Sequence, residues 1–166
     1  CNALKAELRA GGDCFIASVT SPEREQQLAA LLDAAGIGTT WLKSEASFAD
    51  VKNTYLNPRQ LGVDRWMGLI AARRRRREAV LVVSVGTAMT VDALTAEGVF
   101  LGGVIVPGVS LMQQSLRQGT AAVADAGGAW QAFPRSTADA VQSGIVAALC
   151  GAIQQQHARL AEVAGV

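Results

Sequence analysis

Asp64 is the first group in this sequence placed to do chemistry. It stands in Gly62-Val63-Asp64-Arg65, between a proline-containing loop and a helical pattern. Its carboxylate would lie near the positive end of a helix with an arginine adjacent, and both influences favour the ionised form. An ionised carboxylate in an accessible loop can accept a proton from a hydroxyl substrate. The same residue would also serve as a plain helix N-cap. The second candidate is the turn Val85-Gly86-Thr87-Ala88, where an apolar run breaks. Glycine lets backbone approach a bulky ligand, and turn amides with the Thr87 and Thr90 hydroxyls offer donors to phosphate oxygens without fixed positive charge. A β-hairpin whose glycine serves the turn alone fits the same residues. Histidine chemistry is not indicated. His157 is the single histidine, late in the last helical pattern beside Gln154, Gln155 and Gln156, with no Cys/His or Ser/His/Asp order around it.

The elements that must position these groups can be read in order. Asn2 to Arg9 reads as the end of a helix stopping at Gly11-Gly12. Cys14 to Val19 is an apolar run of strand length, and Ser21-Pro22 then starts a helix whose Leu28, Leu31 and Leu32 share one face up to Gly36. Thr39 to Leu42 is the next strand. Strand, helix, strand in that order favours a parallel pair and the α/β class. After the Tyr55-Leu56-Asn57-Pro58 loop, a helix from Leu61–Trp66 runs through Leu69 and Ala72 into five arginines, Arg73 to Arg77. At a helix C-terminus such a run complements the macrodipole and lies in solvent, and no interleaved aromatic residues suit it to base stacking. Val80 to Val83 and the alternating Met89 to Ala93 segment flank the turn, Gly98 makes another turn, and Val99 to Val106 follows. Strands joined by tight turns pair antiparallel, so this part is a meander. A helix with Leu111, Met112, Ser115 and Leu116 on one face comes next, then an Ala/Gly-rich loop from Gly119 to Gly128. Ser136-Thr137-Ala138-Asp139 resembles a capping box opening a long helix, in which Gly144 and Gly151 would cost ~1 kcal/mol each relative to alanine.

Composition bounds the partners. The chain has 166 residues, half of them hydrophobic and 17% charged, which is a globular chain rather than a disordered one. A net charge of +1 gives no general attraction to nucleic acid or acidic membranes. Cys1, Cys14 and Cys150 have no CxxC spacing and are odd in number, so neither a disulfide framework nor a zinc site is indicated and a reducing cytoplasm fits. No apolar run approaches the ~18 residues that span a bilayer. The change in composition near Arg77 to Ala79 divides the chain into residues 1–78 and 79–166.

Four segments then combine. Tyr55-x-Asn57-Pro58, Leu61-Gly62-x-Asp64-Arg65-Trp66, Gly86-Thr87-Ala88-x-Thr90-x-Asp92 and Gly102-Gly103-x-Ile105-x-Pro107-Gly108 occur in this order, followed by Leu116-x-x-x-Thr120-Ala121 and Thr137-x-x-Ala140-x-x-x-Gly144. The set resembles the type III pantothenate kinase family, including members called Bvg accessory factors, over about Val51 to Ala148. The resemblance implies an α/β fold of the actin-like, acetate-and-sugar-kinase type with ribonuclease H-like lobes. Residues 1–78 would be part of the N-terminal lobe and 79–166 the start of the C-terminal one. The implied activity is ATP-dependent phosphorylation of pantothenate with Mg2+, the first step of coenzyme A synthesis, in a cytoplasmic homodimer. On the same footing Asp64 is the base; Tyr55, Gly62, Val63, Asp64, Arg65 and Thr137 hold pantothenate; and Gly86 and Thr87 contact ATP.

The sequence departs from the family pattern in three places. The early Asp-x-Gly-Asn-Thr phosphate motif has no counterpart, and neither does the late Gly-Gly adenine-side segment. The chain opens at Cys1 and stops at Val166 straight after a helical pattern, so it reads as the middle of a longer kinase, inactive as an isolated piece. Ser84 stands where many members carry the aspartate that binds a monovalent cation, so the resemblance stops short of implying K+ or NH4+ dependence. Two other readings remain open. One is a non-catalytic pantothenate kinase-like protein with a dimerising or regulatory role; the other is an unrelated sugar or acetate kinase sharing the hairpin.

Overall fold

A computed structural model describes residues 12–120 and 127–165. The helix expected over Asn2 to Arg9 and residues 121–126 of the expected Ala/Gly-rich loop lie outside these. The described chain is mixed α/β with two sheets.

The first unit is β1 (Asp13–Ile16), α1 (Pro22–Ala34) and β2 (Gly38–Trp41), with β1 and β2 parallel and Cys14 opposite Thr39. Pro22 occupies the first turn of α1, where its missing N–H costs nothing, and Glu23 and Glu25 complement the helix dipole there. This is the β-α-β unit expected from the sequence.

The second sheet runs in the order β3-β4-β7-β6-β5, built from β3 (Ser47–Phe48), β4 (Val51–Asn53), β5 (Val80–Val85), β6 (Ala88–Leu94) and β7 (Val99–Pro107). The meander of β5, β6 and β7 is antiparallel as expected. The hairpin of β3 and β4 is an addition, because Ala49 and Asp50 turn it at φ 50° and 62° with no glycine to announce it. β4 then pairs parallel with β7, so the sheet takes strands from both sides of the composition change near residue 78. Gly98 lets the hairpin close on the β6–β7 turn, since a Cβ there would overlap the Asp50 carbonyl oxygen.

β6 is covered on both faces, which its burial pattern shows from Met89 to Leu94. Helix α2 (Val63–Arg75) packs on the face of Asp92 and Leu94. There Val51, Leu61, Trp66, Leu69, Ile70, Leu94 and Phe100 form the core. Each large side chain so buried contributes roughly 1.5–3 kcal/mol. The long helix α4 (Thr137–Ala164) packs against β5, β6 and β7, with Gln156 and Leu160 beside Ala93 and Val104 of the opposite face. α3 (Val109–Gly119) follows β7 and lies along α4.

Two local expectations need correction. Arg74, Arg75, Arg76 and Arg77 are exposed as expected, and Arg77 pairs with Asp50 at 3.1 Å in solvent. Arg73 is buried instead and donates from Nη1 to the carbonyl of Ala96, because α2 lies flat on the sheet and this position faces it. At α4, Ser136 Oγ accepts from the Asp139 amide at 3.2 Å as a capping box requires. The Asp139 carboxylate, however, does not cap the Ser136 backbone amide as a full capping box would; it accepts from the Ala129 amide at 2.9 Å, tying the preceding loop to the helix.

Candidate active site at the start of helix α2

The site is assembled where the Pro58–Gln60 turn delivers the chain into α2. Asn53 organises that approach from the end of β4. Its buried carboxamide donates to the carbonyls of Glu45 and Pro58, both at 3.1 Å, and accepts from the Tyr55 amide at 3.1 Å. Ser44, also buried, donates to the Leu61 carbonyl at 2.7 Å. A loop fixed by one buried and three part-buried hydrogen bonds is pre-shaped rather than adaptable.

Gly62 is the N-cap of α2, and Asp64 falls in the first turn without making a side-chain capping bond. Its carboxylate is exposed and folds back over Gly62: a Cβ on that glycine would stand 2.6 Å from Asp64 Oδ1 and 3.7 Å from Val19 Cγ1. Of the two roles read for Asp64, the plain cap is therefore not the one it adopts. The carboxylate stays available beside unpaired helix amides, with the loop after β1 close by. A cleft of about 650 Å³ opens here between the β1-α1-β2 unit and the entry to α2. Ser18, Trp41, Lys43, Leu61, Gly62 and Val63 are among its lining residues, while the side chain of Asp64 stands outside it.

Arg65 points the other way, into the protein, and is 7% exposed. Its Nε donates to Asp92 Oδ2 at 3.1 Å, its Nη2 donates to Asp92 Oδ1, and its Nη1 donates to the Tyr55 hydroxyl at 3.0 Å. Burial pulls the guanidinium down, but the hydrogen bonds and charge of Asp92, with a smaller part from Tyr55, outweigh it and hold it above the ordinary arginine value. The bidentate fork fixes orientation as well as charge. The Tyr55 ring stacks on Phe100 at 5.6 Å and 28°. Thus the structure brings Tyr55 and Arg65 together, with Gly62, Val63 and Asp64 in the turn just before.

Asp92, a motif residue to which the sequence assigns no role, is 0% exposed. Its sequence signal is a lone carboxylate between Val91 and Ala93 in an alternating strand, which requires a buried cation. Gly103 stands opposite it on β7, where any Cβ would overlap Asp92 Oδ1.

The phosphate candidates lie at the other end of β6. The turn at Gly86 and Thr87 is exposed, and Gly108 packs beneath it, donating from its amide to the Thr87 carbonyl at 2.8 Å. The Gly86 amide is already used by the Ala88 carbonyl at 3.0 Å. Thr90 differs from expectation: its Oγ1 is buried without a hydrogen-bond partner rather than presented at the turn. Ser84 is opposite Thr90 in the β5–β6 register, so this position offers two neutral hydroxyl side chains and no carboxylate. Thr137 lines a different, apolar groove between α3 and α4, with Met112, Leu116, Val141 and Ile145. His157 is exposed on α4. Among the described residues no group of three or more His, Cys, Asp or Glu could hold a metal, and no helix is long and apolar enough to cross a membrane.

The fold class has a counterpart in a solved structure, that of a Baf family protein from Campylobacter jejuni. It superposes with a TM-score of 0.59 over 92% of this chain and 68% of that one, at 22% identity. The family model for type III pantothenate kinase matches residues 2–159. The chain belongs to the type III pantothenate kinase family. It is 68% identical over 165 residues to the type III pantothenate kinase of Thiobacillus denitrificans, covering 99% of this chain and 68% of that protein. It is 52% identical over 122 residues to that of Chromobacterium violaceum, covering 74% and 52% respectively. With that of Aromatoleum aromaticum it shares 40% over 172 residues, covering 98% and 71%. The chain therefore spans between about half and seven tenths of the length of these relatives. The family resemblance read from the motifs is borne out over a longer stretch than the motifs themselves cover.

Proposed function

We propose that the protein phosphorylates pantothenate with ATP, the entry step of coenzyme A synthesis, with Asp64 as general base. The observation that carries this is the exposed Asp64 carboxylate, uncommitted to capping, at the head of a helix in a chain of this kinase family. In the reaction the primary hydroxyl of pantothenate attacks the γ-phosphorus of ATP. An O–P bond forms, the bond to the β,γ-bridging oxygen breaks with its electrons leaving on ADP, and Asp64 takes the hydroxyl proton. Positioning and charge stabilisation do most of the work in such transfers. Tyr55 and the backbone of Gly62 and Val63 hold pantothenate, Thr137 adds a further substrate contact, and the Gly86-Thr87 turn meets the ATP phosphates. Arg65 serves as a held rather than a free cation.

Mg2+ bound with ATP would supply charge neutralisation at the phosphate oxygens. Ser84 and Thr90 place two neutral hydroxyl side chains opposite each other on β5 and β6, and no step here is assigned to K+ or NH4+. The same proposal includes a two-lobed, actin-like architecture in a cytoplasmic homodimer. Its N-terminal lobe lies within residues 1–78 and its C-terminal lobe starts within 79–166, with the β3–β4 hairpin added to the second lobe's sheet.

The test is ATP-dependent phosphorylation of pantothenate by the product of the full reading frame. Asp64→Asn is expected to lower kcat by about 10²–10⁴-fold while the far-UV spectrum and melting are unchanged. Turnover close to wild type in that variant removes Asp64 as base. Ser84 favours one other reading, a non-catalytic relative with a regulatory or dimerising role, and wild-type inactivity in the same assay selects it.

A further inference from the structure

We infer that Asp92 is a positioning residue for the substrate: acting through Arg65, it turns the Tyr55 hydroxyl into a directed hydrogen-bond donor for a carboxylate or carbonyl oxygen of the bound pantothenate. The inference rests on the pantothenate reading above and adds a residue to it.

A guanidinium has donors only. The Tyr55 oxygen must therefore accept from Arg65 Nη1, which leaves the phenolic hydrogen for some other acceptor. Among the described residues that hydroxyl has no second partner. Accepting a charge-assisted hydrogen bond polarises the phenol and strengthens what it donates. The rest of Tyr55 is fixed, by the stack on Phe100 and by the bond from its amide to Asn53 Oδ1.

Arg65 can play this part only if its own direction is set. Two of its three nitrogens are held by the two Asp92 oxygens, which leaves Nη1 aimed at Tyr55. A lysine has no such fork, and a single ammonium could not serve both groups in fixed directions. Asp92 in turn is held in place by burial and by the absence of a side chain at Gly103. The chain of dependence therefore runs from Gly103 to Asp92, to Arg65, to Tyr55. Nothing in it requires Asp92 to touch the substrate.

The experiment is a double-mutant cycle in the full-length protein with Tyr55→Phe, Asp92→Asn and the pair, reading KM and Kd for pantothenate, KM for ATP, and kcat. If Asp92 acts through the Tyr55 hydroxyl, each single change weakens pantothenate binding about tenfold. The pair should then be no worse than about tenfold, because coupled residues fail to add. KM for ATP should stay within about twofold and kcat within about threefold, as for lost ground-state binding. An additive loss of about a hundredfold, an equal loss on ATP, or wild-type pantothenate affinity in Tyr55→Phe overturns the inference. Should Asp92→Asn fail to fold, Arg65→Lys takes its place in the cycle with the same expectation. Failure of both to fold makes the pair a determinant of folding only and rejects the positioning role. A wild-type protein that does not phosphorylate pantothenate overturns the functional reading itself, and the inference with it. Additive losses in an active enzyme overturn only the role of Asp92.

Discussion

Replacing Gly103 by alanine should destabilise this protein markedly. The new Cβ would overlap Asp92 Oδ1 and stand 2.5 Å from the Val91 carbonyl oxygen and 2.9 Å from Asp92 Cα. Two of those three atoms belong to the backbone of β6, which is paired with β5 on one side and β7 on the other. The strand therefore cannot retreat without disturbing two ladders. The softer response is for the Asp92 carboxylate to rotate away, which strips the buried guanidinium of Arg65 of its partner. Overpacking of a core costs about 1–3 kcal/mol. Breaking a buried ion pair costs about 3–5 kcal/mol, chiefly for the charge left behind. These are alternative responses rather than additive ones, so the expected loss is about 3–5 kcal/mol. That is a large share of the 5–15 kcal/mol or so that folded domains possess, and it corresponds to a fall in Tm of roughly 10 °C. Urea unfolding of the full-length protein followed by circular dichroism measures it. A loss below about 1 kcal/mol would mean that β7 can shift outward without strain, and the account of Gly103 as the space reserved for Asp92 would be wrong.

Two further predictions follow from the long helix. Among the described residues Gly151 has nothing within 4 Å of the position its Cβ would take, so Gly151→Ala should raise stability by up to about 1 kcal/mol in the same urea assay. The bond from the Ala129 amide, with the Ser136 hydroxyl, holds the Asp139 carboxyl below the usual carboxylate range. A group depressed on folding stabilises above its unfolded value, near pH 4, and loses that contribution as pH falls through the folded value. Melting curves of Asp139→Asn should therefore fall below wild type at pH 7 and converge with it in acid; a gap that persists at pH 2 would assign the effect to packing.

Much of the framework was written locally. Ser21-Pro22 marked α1, the alternation from Met89 to Ala93 marked β6, and Ser136 marked the start of α4, because caps, prolines and periodic faces act over a few residues. The β3–β4 hairpin was not legible, since its strands are two and three residues long and its turn uses Ala49-Asp50 in place of glycine. Its parallel pairing with β7 joins residues far apart in sequence, which periodicity does not encode. The site divided similarly. Asp64 and Tyr55 were visible as types in a spaced motif, whereas the direction of Arg65 depended on a carboxylate 27 positions later. The arginine run misled for a related reason. Composition made Arg73 to Arg77 look like one solvated tract, but only geometry tells which member of a helix faces the sheet.

Arg73 also changes how α2 can behave as a mechanical part. Two arginines fasten the helix to β6 and the turn after it, Arg65 to Asp92 at its start and Arg73 to Ala96 at its end. From residue 65 to 73 is eight steps of about 1.5 Å, or about 12 Å of helix, and Ala96 lies just past the end of β6, in the turn that leads to β7. The fasteners therefore act as a pair of rivets, one on the strand and one on the turn that follows it. One residue inserted between Arg65 and Arg73 would swing the second rivet by about 100° and leave it pointing past its hole. A helix held in this way neither slides nor turns on the sheet. Any opening and closing of the cleft at Gly62 must then be made by the β1-α1-β2 unit swinging against a stationary Asp64.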